Sequence, residues 1–112
     1  AAVLANLADN DDHKVAIAAA GGIEVLVSLA RDGNERQKEN AAGALWSLAI
    51  NDDNSVAIAA AGGVEVLIAL ARHGNEGQKE FAAGALWNLA INDDNRVAIA
   101  AAGGIEVLIA LA

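Results

Sequence analysis

The sequence predicts an all-α solenoid, and three observations carry the prediction. The word AAGALWSLAIND at 41–52 returns as AAGALWNLAIND at 82–93, a step of 41 residues. Hydrophobic residues make up 55% of the chain, largely as alanine, and proline is absent, which favours close-packed helices over strands. Asn-Asp-Asp recurs at 10–12, 51–53 and 92–94, and Gly-Gly at 21–22, 62–63 and 103–104, all in one register. Self-similarity at this period marks an array in which each unit buries its apolar face against the next copy.

The unit 51–91 shows the elements in order. Asn51 or Asp52 caps a short first helix through Val56-Ala57-Ile58-Ala59-Ala60, and Gly62-Gly63 supplies the permissive backbone that ends it and turns the chain. A strongly apolar second helix, Val64 to Arg72, closes at Gly74, with Arg72 placed at the negative end of the helix dipole. Asn75 and Gln78 form an N-x-x-Q variant of the capping box and open the longest helix, which is expected to run to about Ile91.

Residues 10–50 and 51–91 are full units that differ at nine of 41 positions: 13/54, 14/55, 23/64, 27/68, 28/69, 32/73, 36/77, 40/81 and 47/88. Residues 1–9 match 42–50, the end of a third helix, and 92–112 supply a first and a second helix only. Joined, these two pieces fall 11 residues short of a unit, and the missing stretch corresponds to 31–41. The absence of Met and the start at Ala1 give the expectation of a fragment or processed chain; the closeness of the copies is what an engineered or consensus-like array would show.

Composition narrows the function classes. A net charge of −8, with seven scattered Lys and Arg, argues against a nucleic-acid reader and favours a basic partner. The apolar runs break well before the roughly 18 residues that a bilayer span needs, so a soluble chain without membrane contact or signal peptide is expected, intracellular if natural. No cysteine is present, which removes disulfides and thiolate metal sites.

Catalysis finds no support in the motifs. There is no G-x-S-x-G, no H-E-x-x-H and no glycine-rich phosphate loop, the Gly-Gly pairs being helix stops. The NDDN stretches concentrate carboxylates but lack the D-x-D-x-D-G spacing and the glutamate at the twelfth position, so they read as helix caps rather than calcium loops. His13 and His73 are unpaired in predicted caps or turns and read as solvated. No enzyme activity, metal or cofactor is expected.

A 41-residue unit with a short, a middle and a long helix resembles the armadillo repeat, and GGIEVLIALA at 103–112 and AAGALWNLAIN at 82–92 are similar to that family's second-helix and third-helix words. The resemblance covers the whole chain. HEAT repeats share the length range but usually lack a separate short first helix, and rank second. The resemblance implies a right-handed superhelix whose third helices line a concave groove. It also implies that an asparagine near the end of helix 3 pairs with the backbone of an extended peptide, since a carboxamide offers both a donor and an acceptor. Asn88 matches that position; stepping back by 41 gives Ser47 and then Asn6, with the serine too short for a two-pronged contact. Many peptide-binding members carry tryptophan four residues before this asparagine. Gly84 stands there instead, which weighs against the family's nuclear-localisation-signal pockets.

At 100 degrees per residue, Gly84, Glu80, Phe81 and Ile91 share the face of Asn88, with Trp87 on its flank and Leu86 and Leu89 opposite. The preceding unit offers Gly43, Glu39, Asn40, Ile50 and Trp46 in the same places. The expected groove is thus floored by glycine, edged by tryptophan and rimmed by carboxylates. Plain structural roles fit the same spacing: tryptophans packed on the neighbouring third helix, Asn88 bonded to a cap or an adjacent turn, Glu39 and Glu80 as solvated first-turn acids.

Two functions follow from these residues. One is a non-enzymatic scaffold that holds an extended basic protein segment along helix 3 through Asn6, Ser47, Asn88, Trp46, Trp87, Phe81, Glu39 and Glu80. The alternative is a self-assembling or folding-model repeat fragment with no peptide ligand. Its C-terminal second helix offers Val107, Leu108, Ile109 and Leu111, and its N-terminal half-helix offers Val3, Leu4 and Leu7, with Ala5 and Asp9 in place of Trp46 and Ile50. Docking one end on the other makes a heterologous contact that closes into a ring or continues as a superhelix. Burying about 400 Å2 there would contribute roughly 10 kcal/mol before association costs.

Overall fold

In a computed structural model of the chain, the described residues are 21–111, with the side chains of 108, 110 and 111 excepted. They form α1 (Gly22–Asp32), α2 (Glu35–Leu48), α3 (Asp52–Ala60), α4 (Gly63–His73), α5 (Glu76–Leu89), α6 (Asp93–Ala101) and α7 (Gly104–Leu111), and no strand occurs among them. The helices α3, α4 and α5 make up the whole unit 51–91. Preceding them, α1 and α2 are the second and third helices of unit 10–50, and α6 and α7 are the first and second helices of 92–112. The expected N-terminal half-helix, with Val3, Leu4, Asn6 and Leu7, and His13 lie outside the described residues.

Local chemistry sets each boundary. The Asn51 side chain accepts from the Asn54 amide at 3.1 Å to start α3, and Asn92 accepts from Asn95 at 3.0 Å to start α6, so both described NDDN stretches are caps. Asn34 with Gln37, and Asn75 with Gln78, close reciprocal capping boxes at the starts of α2 and α5. Between α3 and α4 the axis bends by 84°. Gly62 takes φ 85, a left-handed conformation that penalises a side chain, whereas Gly63 is required by space: a Cβ there would meet Ile58 Cγ2 at 2.5 Å and the Ile58 carbonyl at 2.8 Å. The third helices stop at Leu48 and Leu89, two residues before the expected end at Ile91. There the amides of Ile50 and Ile91 turn to the carbonyls of Ser47 and Asn88.

Packing repeats with the sequence. Within a unit the second helix lies on the third, α1 on α2 and α4 on α5, and between units α2 lies along α5. Leu26, Leu45, Leu48, Ile58, Leu67, Leu86, Leu89 and Ile99 are fully buried in one continuous core, which places Leu86 and Leu89 opposite the groove side as the helical spacing predicts. The result is an all-α solenoid that leaves one side of α2 and α5 outside the core. No single helix among the described residues is long and apolar enough to cross a membrane.

Candidate functional site

The third helices meet through an interlocked set of aromatic and glycine residues. Phe81 of α5 lies 3.7 Å from the position of a Cβ on Gly43 of α2, and its ring sits 5.6 Å from that of Trp46 at 42°. Trp46 in turn lies over Gly84 of α5, its Nε1 3.0 Å from where a Cβ would stand. The glycine four residues before Asn88 thus has a ring above it after all, supplied by the preceding unit. Trp46 remains 43% exposed, so it both packs across the junction and faces solvent. Trp87 holds the same position one unit on and is 63% exposed, no later third helix being among the described residues.

Asn88 also reaches back across the junction. Because the Ile50 amide has turned to Ser47, the Trp46 carbonyl is left at a helix end, and Asn88 Nδ2 donates to it at 3.1 Å. This is the adjacent-turn bond that the spacing allowed. The Asn88 Oδ1 is used by no bond among the described residues, and Ser47 is half-buried at the matching place on α2.

The acids sit differently from the expected groove rim. The Glu39 carboxylate lies against Gly77 in the first turn of α5, where the backbone amides of a helix N-terminus favour negative charge. Glu35, one turn earlier, accepts at its carboxylate from Asn75 Nδ2 and Gln78 Nε2, both at 3.3 Å. The corresponding acids of α5, Glu76 and Glu80, are exposed on that helix's outer side.

A ladder of carboxamides joins the units, and sequence reasoning had not assigned it. Gln78 Nε2 donates to the Glu35 carbonyl at 2.9 Å, Asn92 Nδ2 to Asp52 at 3.5 Å, and buried Asn95 Nδ2 to Ser55 Oγ at 2.9 Å and to the Ser55 carbonyl at 3.3 Å. Each partner lies 40 or 43 residues earlier, and Asn88 extends the series at 42. The available signal was the return of Asn and Gln at fixed phases of the period, next to their capping roles. Buried Asn54 corresponds to Asn95, and its Nδ2 has no partner among the described residues; the acceptor position that matches Ser55 is residue 14, outside them.

At the C-terminal side, equivalent residues differ by what covers them. Ile68 is 4% exposed and Ile109, one unit on, is 71% exposed. Val107, grouped with Ile109 by sequence, is only 8% exposed and turns inward, since α7 lies on α4. His73 is exposed at the end of α4.

These features define a helical repeat array with a lined face along its third helices, and comparison with known proteins gives the family. The Armadillo/beta-catenin-like repeat model matches residues 10–50 and 51–91, and the chain belongs to that family. Its members' repeats commonly mediate protein–protein interaction and are generally non-enzymatic. U-box domain-containing protein 14 of Arabidopsis thaliana is 51% identical over 45 residues, which is 40% of this chain and 7% of that protein. Crystal structures of engineered proteins from the Northeast Structural Genomics Consortium are similar over nearly the whole chain. One superposes with a TM-score of 0.93 at 40% identity, over 98% of this chain and 46% of the other. A second gives 0.91 at 42% identity, over 96% and 27%. The chain therefore spans less than half the length of these relatives.

Proposed function

We propose that the face along α2 and α5 holds an extended basic protein segment. The observation that supports this best is the pair of part-exposed indoles, Trp46 and Trp87, one unit apart on neighbouring third helices of an acidic chain. Indole faces receive both the aliphatic stems and the cationic heads of Lys and Arg, at about 0.5–1 kcal/mol per exposed contact. Glu76 and Glu80, exposed in the earlier turns of α5, add negative charge along the same helix. Asn88 offers its Oδ1 to a backbone N–H of the segment, a bond worth about 0.5–1.5 kcal/mol net. With so few contacts the affinity is weak. Tryptophan emission titrated with a short Lys/Arg-rich peptide tests the reading: a saturable change is expected, absent with a Glu-rich peptide of equal length. An equal response to both, or to neither, removes it.

A second reading is end-to-end association of copies. Ile109 and Trp87 favour it, because both are more exposed than their counterparts Ile68, which is buried, and Trp46, which packs in part on the following unit. Sedimentation over a hundredfold concentration range, with Ile109→Glu as control, tests this: association in the parent and loss in the variant are expected. A parent that remains monomeric removes it.

A further inference from the structure

Where the two units meet, the turns from second to third helix leave a cleft of about 210 Å3. Ala30, Val66 and Leu70 give it an apolar lining, and Arg31, Lys38 and His73 bring basic side chains to it. Lys38 stands nine residues before Ser47, which at 100° per residue puts it on the opposite side of α2 from the groove position. It shares instead the phase of buried Ala41, Ala42 and Leu45. A half-buried lysine therefore heads the core stripe of α2 and opens on the cleft.

The carboxylates nearby are already engaged. Glu35, also in the lining, accepts at Oε2 from Asn75 Nδ2 and Gln78 Nε2, both at 3.3 Å, and Asp32 lies 3.3 Å from Arg31 Nε. Neither pairs with Lys38, which has no ion-pair partner among the described residues. Position 73 is one of the nine at which the units differ, and Asp32 is its counterpart. An imidazole thus lines the cleft at a place where the preceding unit carries an acid.

Small-molecule sites commonly span about 300–1,000 Å3, so this cleft suits one side chain of a larger partner rather than a cofactor. An apolar lining beside three basic groups calls for an anion on a short hydrocarbon stem. We infer that the cleft receives a glutamate side chain of a protein partner, its methylenes against Val66 and Leu70 and its carboxylate accepting from Lys38 Nζ, the Arg31 guanidinium and the His73 imidazole. A chain of charge −8 repels a strongly acidic segment, but at 0.15 M salt the screening length is about 8 Å, so the local cations decide the fate of a single acid. The partner chemistry is therefore an isolated glutamate in an otherwise uncharged segment. The site is separate from the third-helix face and does not depend on a basic segment being held there.

The test titrates the full chain at 0.15 M salt with a blocked pentapeptide that carries one glutamate among alanines and leucines. NMR follows the backbone amide of His73 and the side-chain amide of Gln78, which also lines the cleft. Saturable shifts of both are expected, with the indole N–H signals of Trp46 and Trp87 left in place. Glutamine in place of the peptide's glutamate should weaken binding about tenfold, and Lys38→Gln about fivefold. His73→Asp, which installs the residue the fold already holds at position 32, should abolish the Gln78 shift. Equal binding of the two peptides, unchanged binding by the folded variants, or shifts of the same size with inorganic phosphate would overturn the inference. So would shifts confined to the indoles, or none at all.

Discussion

Trp46 lies across Gly84 of the following unit, with its Nε1 3.0 Å from where a Cβ on that glycine would stand. The small side chain here therefore suits the neighbour's ring rather than its own backbone, which is helical. Gly84→Ala gains up to about 1 kcal/mol of helix propensity and must push the indole outward. Stability is expected to stay within about 1 kcal/mol of the parent. The emission of Trp46, isolated by Trp87→Phe, should shift to the red and become easier to quench. Unchanged emission would show that the ring does not rest on Gly84.

Asn88→Ala removes the bond to the Trp46 carbonyl and leaves that helix end uncapped. A loss of about 1 kcal/mol is expected, which for a chain of this size lowers Tm by about 4–8 °C. The same variant should weaken a basic peptide about tenfold, and Ser47→Asn should strengthen it. Thermal melts and peptide titrations read the two effects separately. If Tm falls and peptide affinity is untouched, Asn88 serves the stack alone.

Gly62 and Gly63 are adjacent and should fail differently. Gly62→Ala places a Cβ in open space but at φ 85, which costs about 1–2 kcal/mol. Gly63→Ala drives a Cβ into Ile58, whose side chain is fully buried, and should cost more, about 2–3 kcal/mol. Denaturant melts of the two variants rank them. Equal losses would show that the first and second helices separate easily.

Salt should move the two proposed associations in opposite directions. Attraction between a chain of charge −8 and a basic peptide weakens as the screening length falls from about 10 Å at 0.1 M salt to about 3 Å at 1 M. Two copies of the chain repel each other, so screening strengthens their docking. Titration and sedimentation at both salt concentrations check the signs.

The units, their caps and the buried face of helix 3 were legible because each is written locally. Asn75 with Gln78 is a short-range signal, and Leu86 and Leu89 follow from helical period alone. What lay across the junction was not legible. The wheel placed Glu39 on the groove rim, but the side chain at position 77 is missing, and that space draws the carboxylate onto the first turn of α5. Likewise Phe81 could be set beside Gly43, and Trp46 over Gly84, only once the offset between α2 and α5 was known. Asn88 matched a ligand-binding position by resemblance, while its donor serves a carbonyl freed by the geometry at the end of the preceding helix.

The central claim, that the third-helix face receives an extended basic segment, is tested most directly by the two indole N–H signals of Trp46 and Trp87 in a nitrogen–proton NMR spectrum. Titration with a Lys/Arg-rich peptide is predicted to shift both, together with the Asn88 side-chain amide, and to leave the amides of buried Leu67 and Ile58 in place. Indoles that do not move, or shifts confined to exposed first-helix residues such as Val56 and Val97, would contradict it.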